Sequence, residues 1–325
     1  MYVESTATGI FANIDTLNRK YGTITIEIDI EKGKQLAKHI HESFATHGIL
    51  GHKAMPEDIL PEGIHKGSLE HLMFITLTVS IDYQRDAMVL WENSRKTFED
   101  IETRYLFDPK SVYESPIGKI VDDMQKYKLS KKPKKDAVIW SKNAISFYKK
   151  WDGDPRNFLK DCDWDSLIIP IRLKNDYYVS DGKLIKDYKY LGGDKIGPLW
   201  IKMLRDNFGI SNLSNLNKVP IPVDIHVARA TLATGIVKGD FKGDLANLFK
   251  YVREAWFESV RDLKIEDRPM IALDMDEPLW HLSKNGCTKR NKTTKDCPEY
   301  DKCEVNEFCV DGKINIKDNN VELET

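Results

Sequence analysis

The 325-residue sequence predicts a mainly α protein. Three observations carry this expectation. Apolar residues recur at helical spacing behind Ser, Asp or Pro start signals over most of the chain. Period-two alternation marks Gly22–Ile30, and a short hairpin candidate lies within residues 174–190. No apolar run approaches the roughly 18 residues needed to span a bilayer.

The elements follow in order. Gly22 to Ile30 alternates apolar and polar residues, which predicts one strand, paired in a hairpin with an earlier segment. A helix is expected from about Lys32 to Ala45, and Gly48–Gly67 mixes Gly, His and Pro as a loop does. Ser68 caps an apolar helix over Leu69–Val79. Ile81–Gln84 reads as a break, after which Arg85–Leu106 resumes as one long amphipathic helix. Shorter helices are expected over Pro116–Tyr127, Asp136–Trp151 and Pro155–Cys162. Tyr127–Lys135 (Y-K-L-S-K-K-P-K-K) is a solvated linker or a phosphate-contacting strip. Residues 174–190 look like an insertion, with a small hairpin turning at Ser180-Asp181-Gly182. Helices over Tyr190–Asn207, Asp224–Thr234 and Asp244–Leu263 complete the pattern. Three consecutive regions are expected: an N-terminal extension at 1–67, a helical core at 68–280, and a four-cysteine loop and tail at 281–325.

Composition narrows the function classes. Hydrophobic residues make up 41% and charged residues 31%, the balance of an ordinary globular protein. The net charge of −2 excludes a globally basic nucleic-acid binder, so local patches must supply any attraction to phosphate. The N-terminus lacks the charged and apolar regions of a signal peptide, so a cytoplasmic location is expected.

Chemistry concentrates in three places. Ile221–Arg229 reads I-P-V-D-I-H-V-A-R and sets Asp224 between an apolar approach and a helix start. A carboxylate there is stabilised by backbone N–H groups and is suited to a chemical task, although a plain N-cap explains it equally. Upstream, Leu191–Lys202 holds Gly192, Gly193 and Gly197 ahead of Pro198. Such glycines let backbone approach a phosphate at a helix N-terminus; the alternative is a tight turn between packed helices. Downstream, Cys287, Cys297, Cys303 and Cys309 are spaced C-x9-C-x5-C-x5-C, while Cys162 stands apart. In a reducing compartment a bunch of four thiols reads as a metal site before disulfides, and spacing alone leaves Zn²⁺ and an iron–sulfur cluster open. The C-x2-C knuckles of zinc ribbons are absent. Lys284, Lys289, Arg290, Lys292 and Lys295 surround the first cysteine gap, as a phosphate-contacting loop or a solvated one. Trp140 and Trp200 read as core rather than base-stacking residues, and His226 as a packing or capping neighbour of Asp224.

Gly-rich hairpin, helix, Pro-containing loop and V-D-x-H-V-x-R together resemble the helix–hairpin–helix DNA glycosylase superfamily. The resemblance spans about Leu69 to Cys309, with its motifs concentrated at 191–229 and 287–309. It implies a two-subdomain helical fold, cleavage of the N-glycosidic bond of a damaged base in double-stranded DNA, and an essential role for Asp224. The C-terminal cysteines resemble the endonuclease III arrangement with wider first and second gaps, which implies a [4Fe–4S] cluster, with Zn²⁺ as the alternative. Bifunctional members place a lysine just after the hairpin glycines. In the usual register that position falls on Leu199. Lys195–Met203 instead reads K-x6-K-M, similar to the archaeal 8-oxoguanine glycosylases, and this register implies Lys195 as the nucleophile of an associated lyase step. The break holding Tyr83 and Gln84 occupies the region where the family inserts side chains into DNA; a simple helix–helix turn is the alternative. A monomer associated with the nucleoid is the expected form. Two rival functions use the same residues: a nucleosidase acting on a free nucleoside or nucleotide, and a non-catalytic iron–sulfur module that binds nucleic acid.

Overall fold

The computed structural model describes residues 25–44, 48–51 and 54–325. Helices account for 54% and strands for 12%, so the expected mainly α class holds. In chain order the first elements are β1 (Thr25–Ile28), α1 (Ile30–Ser43), α2 (Leu69–Ser80), α3 (Ala87–Glu99), α4 (Pro109–Glu114), α5 (Ile117–Lys126) and α6 (Pro133–Trp151). Next come α7 (Pro155–Asp161), α8 (Ile168–Asn175), β2 (Tyr177–Ser180), β3 (Lys183–Lys186), α9 (Ile196–Met203) and α10 (Ile225–Ala233). The chain ends with β4 (Val237–Asp244), α11 (Phe249–Val260), β5 (Lys264–Ile265), β6 (Arg268–Pro269), α12 (Asp276–Asn285), β7 (Lys313–Lys317) and β8 (Asn320–Glu324). Among the described residues no helix is long and apolar enough to cross a membrane.

Two compact units share these elements. One joins Met1–His52 to Val223–Thr325, and the other is Lys53–Pro222. The expected consecutive regions 1–67, 68–280 and 281–325 do not coincide with them. The reason is the sheet, which joins strands that are far apart in sequence.

In the first unit that sheet runs β1-β4-β8-β7, antiparallel throughout. The strand expected near Gly22–Ile30 exists and pairs with β4, Thr25 opposite Asp240 and Ile28 opposite Val237, while the earlier segment expected as its partner falls among residues that are not described. Residues 1–24 lie outside the described residues. β7 and β8 form a hairpin through Asp318 and Asn319, whose φ values of 49° and 67° suit a two-residue primed turn. α1 packs on α11, and α10 packs on α12.

The second unit is helical around an aromatic core. Phe74, Trp91, Phe98, Phe107, Trp140, Phe147 and Trp200 are all buried. Trp140 donates from Nε1 to the Leu106 carbonyl at 2.6 Å, and Trp200 to Thr76 Oγ1 at 3.0 Å. Both are therefore core residues, as expected, with their single polar atoms satisfied. Ser68 caps α2 by accepting from the His71 N–H at 3.1 Å. Asp-Pro pairs open α4 and α7, the aspartate capping and the proline entering the first turn.

The long helix expected over Arg85–Leu106 is shorter. Asp86 caps α3, which stops at Glu99 because Asp100 is extended and its side chain accepts from the Glu102 N–H at 2.9 Å. Arg104–Phe107 then forms a 3₁₀ turn. The helix expected from Tyr190 begins only at Ile196, since Tyr190–Gly193 closes as a turn (Gly193 N–H to the Tyr190 carbonyl, 2.8 Å). The expected linker Tyr127–Lys135 is no linker. Leu129 and Ser130 are buried, and the Leu129 carbonyl accepts from Arg85 at 3.1 Å.

Candidate functional site

In the first unit, Asp224 is the N-cap of α10. Its Oδ1 accepts from the His226 N–H at 2.7 Å and the Val227 N–H at 2.9 Å. Both bonds fall on Oδ1, and among the described residues Oδ2 accepts no hydrogen bond. Pro220 and Pro222 cannot continue a helix backwards, which is why α10 starts where it does. His226 packs its ring 5.6 Å from that of Trp280 and shares a 3.2 Å hydrogen bond with Ser283, in keeping with a packing role.

The same helix reaches the cysteines. Arg229, one turn on from Asp224, meets Ser283 of α12 at 3.4 Å. Burial disfavours its charged form, while Cys287 and Asp224 favour it. α12 ends at Gly286, immediately before Cys287. All four thiols, Cys287, Cys297, Cys303 and Cys309, line one small pocket together with Ile49, Ala233 and Arg290. They are free thiols. Burial pushes Cys287 upward, and the neighbouring Cys309, Cys303 and Cys297 add to it; burial likewise raises Cys303 to about 11. Four soft donors around one pocket are, by chemistry, the donor set that iron–sulfur clusters and zinc sites use. Among the described residues no group of three or more His, Cys, Asp or Glu is drawn tightly enough to hold an ion.

Arg290 is not a phosphate-facing residue of that loop. Its side chain is buried and donates to the carbonyls of Asn291, Val310 and Gly312 at 2.8, 2.7 and 3.1 Å. It ties the first cysteine gap to the segment after Cys309. Lys289 pairs with Glu299 at 2.6 Å and the Lys284 ammonium lies over the Trp280 ring, whereas Lys292 and Lys295 are exposed.

The second unit holds the hairpin residues. α8 and α9 flank the β2–β3 hairpin and the Gly192–Gly193 turn. Gly192 is required by packing. A Cβ there would lie 2.8 Å from Leu173 Cβ, 2.9 Å from the Leu173 carbonyl carbon and 2.9 Å from the Lys174 nitrogen. The Gly193 and Gly197 N–H groups are used inside the turn, on the Tyr190 and Gly193 carbonyls at 2.8 Å each. The glycines thus serve the helix–turn packing directly.

Lys195 stands at the start of α9, 28% exposed, with Nζ 3.3 Å from Asp82 Oδ2 and 3.2 Å from the Asp82 carbonyl. Lys202 is buried and lies 3.6 Å from Asp206. Leu199, the usual lysine position, is buried. Of the three, Lys195 is the one at the surface, and it sits against the Ile81–Gln84 break that carries Tyr83 and Gln84.

That break is a built feature. Asp136, fully buried at the start of α6, accepts from Tyr83 Oη, from Arg85 at 2.5 Å and from Ser130 at 2.5 Å. Burial opposes its charge, but these three donors outweigh it and hold the carboxyl below the usual range. Burial, and then the bond to Asp136, push the Tyr83 hydroxyl well up. Tyr83 stacks on Tyr190 at 4.8 Å, and the Lys135 ammonium lies over both rings at 4.7 and 5.0 Å. Gln84, exposed and at φ 50°, accepts from Lys132 at 2.9 Å. Sequence reasoning missed Asp82, Asp136 and Tyr190; only Asp136, three residues after Pro133, carried a local signal, as a first-turn acid.

No protein-family model matches the chain, and no curated protein is significantly similar to it.

Proposed function

We propose that this protein is a DNA base-excision glycosylase of the helix–hairpin–helix type, with a lyase step on Lys195. The observation that carries the reading is Asp224, a carboxylate pinned at a helix N-terminus through one oxygen with the other left to act. When the bond between a base and C1′ breaks, the electron pair leaves with the base and positive charge develops on the sugar. A fixed carboxylate stabilises that charge without reorganising. The target base must first leave the stack, and Tyr83 and Gln84, held by the Asp136 network and by Lys132, are rigid enough to support an opened duplex.

Lys195 supplies the amine. Its nitrogen attacks C1′, gives up a proton and forms a Schiff base with the opened sugar. Asp82, at 3.3 Å, is the carboxylate within reach of that proton. An iron–sulfur cluster bound by Cys287, Cys297, Cys303 and Cys309 would supply a structural tie for the C-terminal loop. The four soft thiol donors that line one pocket are what supports a cluster, with zinc as the alternative.

Borohydride trapping tests the reading. The purified protein is incubated with duplexes carrying different damaged bases, and reduced covalent complex is sought. Trapping is expected with one of them, lost in Lys195→Gln and kept in Lys202→Gln. Asp224→Asn is expected to lower the single-turnover excision rate by roughly 10²–10³-fold while duplex binding is retained. Excision by Asp224→Asn at the wild-type rate would overturn the assignment. Cleavage of free nucleosides without salt-dependent duplex binding would identify a nucleosidase instead.

A further inference from the structure

The second unit carries a groove that the glycosylase reading does not use. It lies between the β2–β3 hairpin and the Gly192–Gly193 turn, has a volume of ≈ 560 Å³, and is lined by Lys142, Lys174, Lys186 and Lys189 together with Tyr188 and Tyr190. No acidic side chain lines it. The nearest carboxylates are occupied: Asp187 is buried against Lys150, and Asp194 pairs with Lys174. Among the described residues Lys142, Lys186 and Lys189 form no ion pair. Burial, and then the charge of Lys189, push the Lys142 ammonium down against the opposing charge of Asp187.

Uncompensated like charges in a concave site are a standing electrostatic cost that an anion removes. The surroundings say which anion. β2 and β3 expose apolar and aromatic residues that a solvent-facing hairpin does not need: Tyr177 is 55% exposed, Val179 68% and Leu184 66%. Tyr177 lies opposite Lys186 in the hairpin register. Tyr190, 40% exposed, closes one end of the groove and stacks on Tyr83, where Lys135 and Lys132 continue the positive charge. Lysines along a groove, interleaved with accessible rings, suit a phosphodiester backbone with unpaired bases rather than a lone phosphate.

The geometry points to a binding groove for single-stranded nucleic acid, its phosphates on Lys142, Lys186 and Lys189 and an unpaired base beside Tyr190. This goes beyond the proposed glycosylase activity and does not depend on Asp224 or Lys195.

The test is fluorescence anisotropy of the full chain with a labelled oligothymidylate over a range of salt. Wild type is expected to bind with a steep salt dependence. The Lys142→Gln/Lys186→Gln/Lys189→Gln variant is expected to flatten the log K against log salt slope by about 2 and to weaken binding on the order of 100-fold at about 0.1 M salt. The corresponding triple Lys→Arg variant is expected to keep the wild-type slope, which separates lost charge from a damaged fold. Tyr190→Ala is expected to weaken binding roughly tenfold with the slope unchanged. Absence of wild-type binding, or a triple glutamine variant that binds like wild type, would overturn the proposal. So would lysine-dependent thermal stabilisation by inorganic phosphate without oligothymidylate binding, or tighter lysine-dependent binding of undamaged duplex. An undamaged strand is used and no bond is cleaved, so failure of the glycosylase reading leaves this result unaffected.

Discussion

Two glycines of the same motif are expected to respond in opposite directions to alanine. At Gly192 the new methyl meets the Leu173 carbonyl carbon and the Lys174 nitrogen, both at 2.9 Å, and Leu173 Cβ at 2.8 Å. Two of those atoms are backbone of α8, so no side-chain rotation relieves the overlap. The helix and the turn must separate, at a cost of about 1–3 kcal/mol, the usual range for an overpacked site. At Gly197 the nearest atom is Pro170 Cβ at 3.5 Å, an ordinary contact, and the residue lies within α9. Gly197→Ala is therefore expected to stabilise by roughly 0.5–1 kcal/mol through helix propensity. Urea unfolding of the two variants beside wild type, followed by tryptophan fluorescence, measures both: Trp200 sits on α9 and reports this region. A neutral Gly192→Ala, or equal losses at both positions, would refute the packing account of the hairpin glycines.

Other outcomes are expected elsewhere. Asp224→Asn keeps the N-cap, since asparagine caps as well as aspartate, and its urea midpoint should match wild type, whereas Asp224→Ala should lose about 1 kcal/mol; equal stability losses in the two would show that the charge, not the cap, holds α10. Buried His71 accepts from the Gly67 N–H at 3.1 Å, and burial, then Lys66, lower it to about 4. Between the unfolded value near 6.5 and that folded value, only the unfolded chain takes up the proton, so stability falls as pH drops through this window. Relative to His71→Phe, wild type should lose about 2 kcal/mol between pH 7 and pH 5, measured by urea titration at each pH; a pH-independent difference would contradict the buried, neutral ring. Arg290→Gln removes the donors to the Val310 and Gly312 carbonyls, and on the proposed cluster reading it should release iron to a chelator faster than wild type, read as loss of visible absorbance. The same variant should leave the unfolding of the Lys53–Pro222 unit unchanged, because Arg290 belongs to the other unit.

Local signals located most of the helices. Ser68 and Asp154 announced their helices because a cap and its first turn are adjacent in sequence. The Asp108-Pro109 pair is the same signal for α4, whose six residues fall between the helices expected over Arg85–Leu106 and Pro116–Tyr127. The β7–β8 hairpin was legible in principle. K-I-N-I-K and N-V-E-L-E alternate on either side of Asp318-Asn319, within the region expected as a four-cysteine loop and tail. The pairing of β1 with β4 had no local trace, since register between segments some 200 residues apart depends on which faces must be buried together. The candidate site divides the same way. Asp224 stood out because a proline-containing approach and a helix start flank it directly. Asp82 and Tyr190 did not, because their neighbours Lys195 and Tyr83 are distant in the chain.

By itself the sequence determined the helical class, the capped aspartate and the presence of four thiols near the C-terminus. These are properties of neighbouring residues, set by capping, periodicity and composition. Only the tertiary structure decided that the four thiols line one pocket, that Gly192 is a packing glycine, that Arg290 turns inward, and that Lys195 rather than Lys202 stands at the surface. The physical reason is that burial and close approach belong to pairs of segments, and a linear pattern does not state which segments will meet.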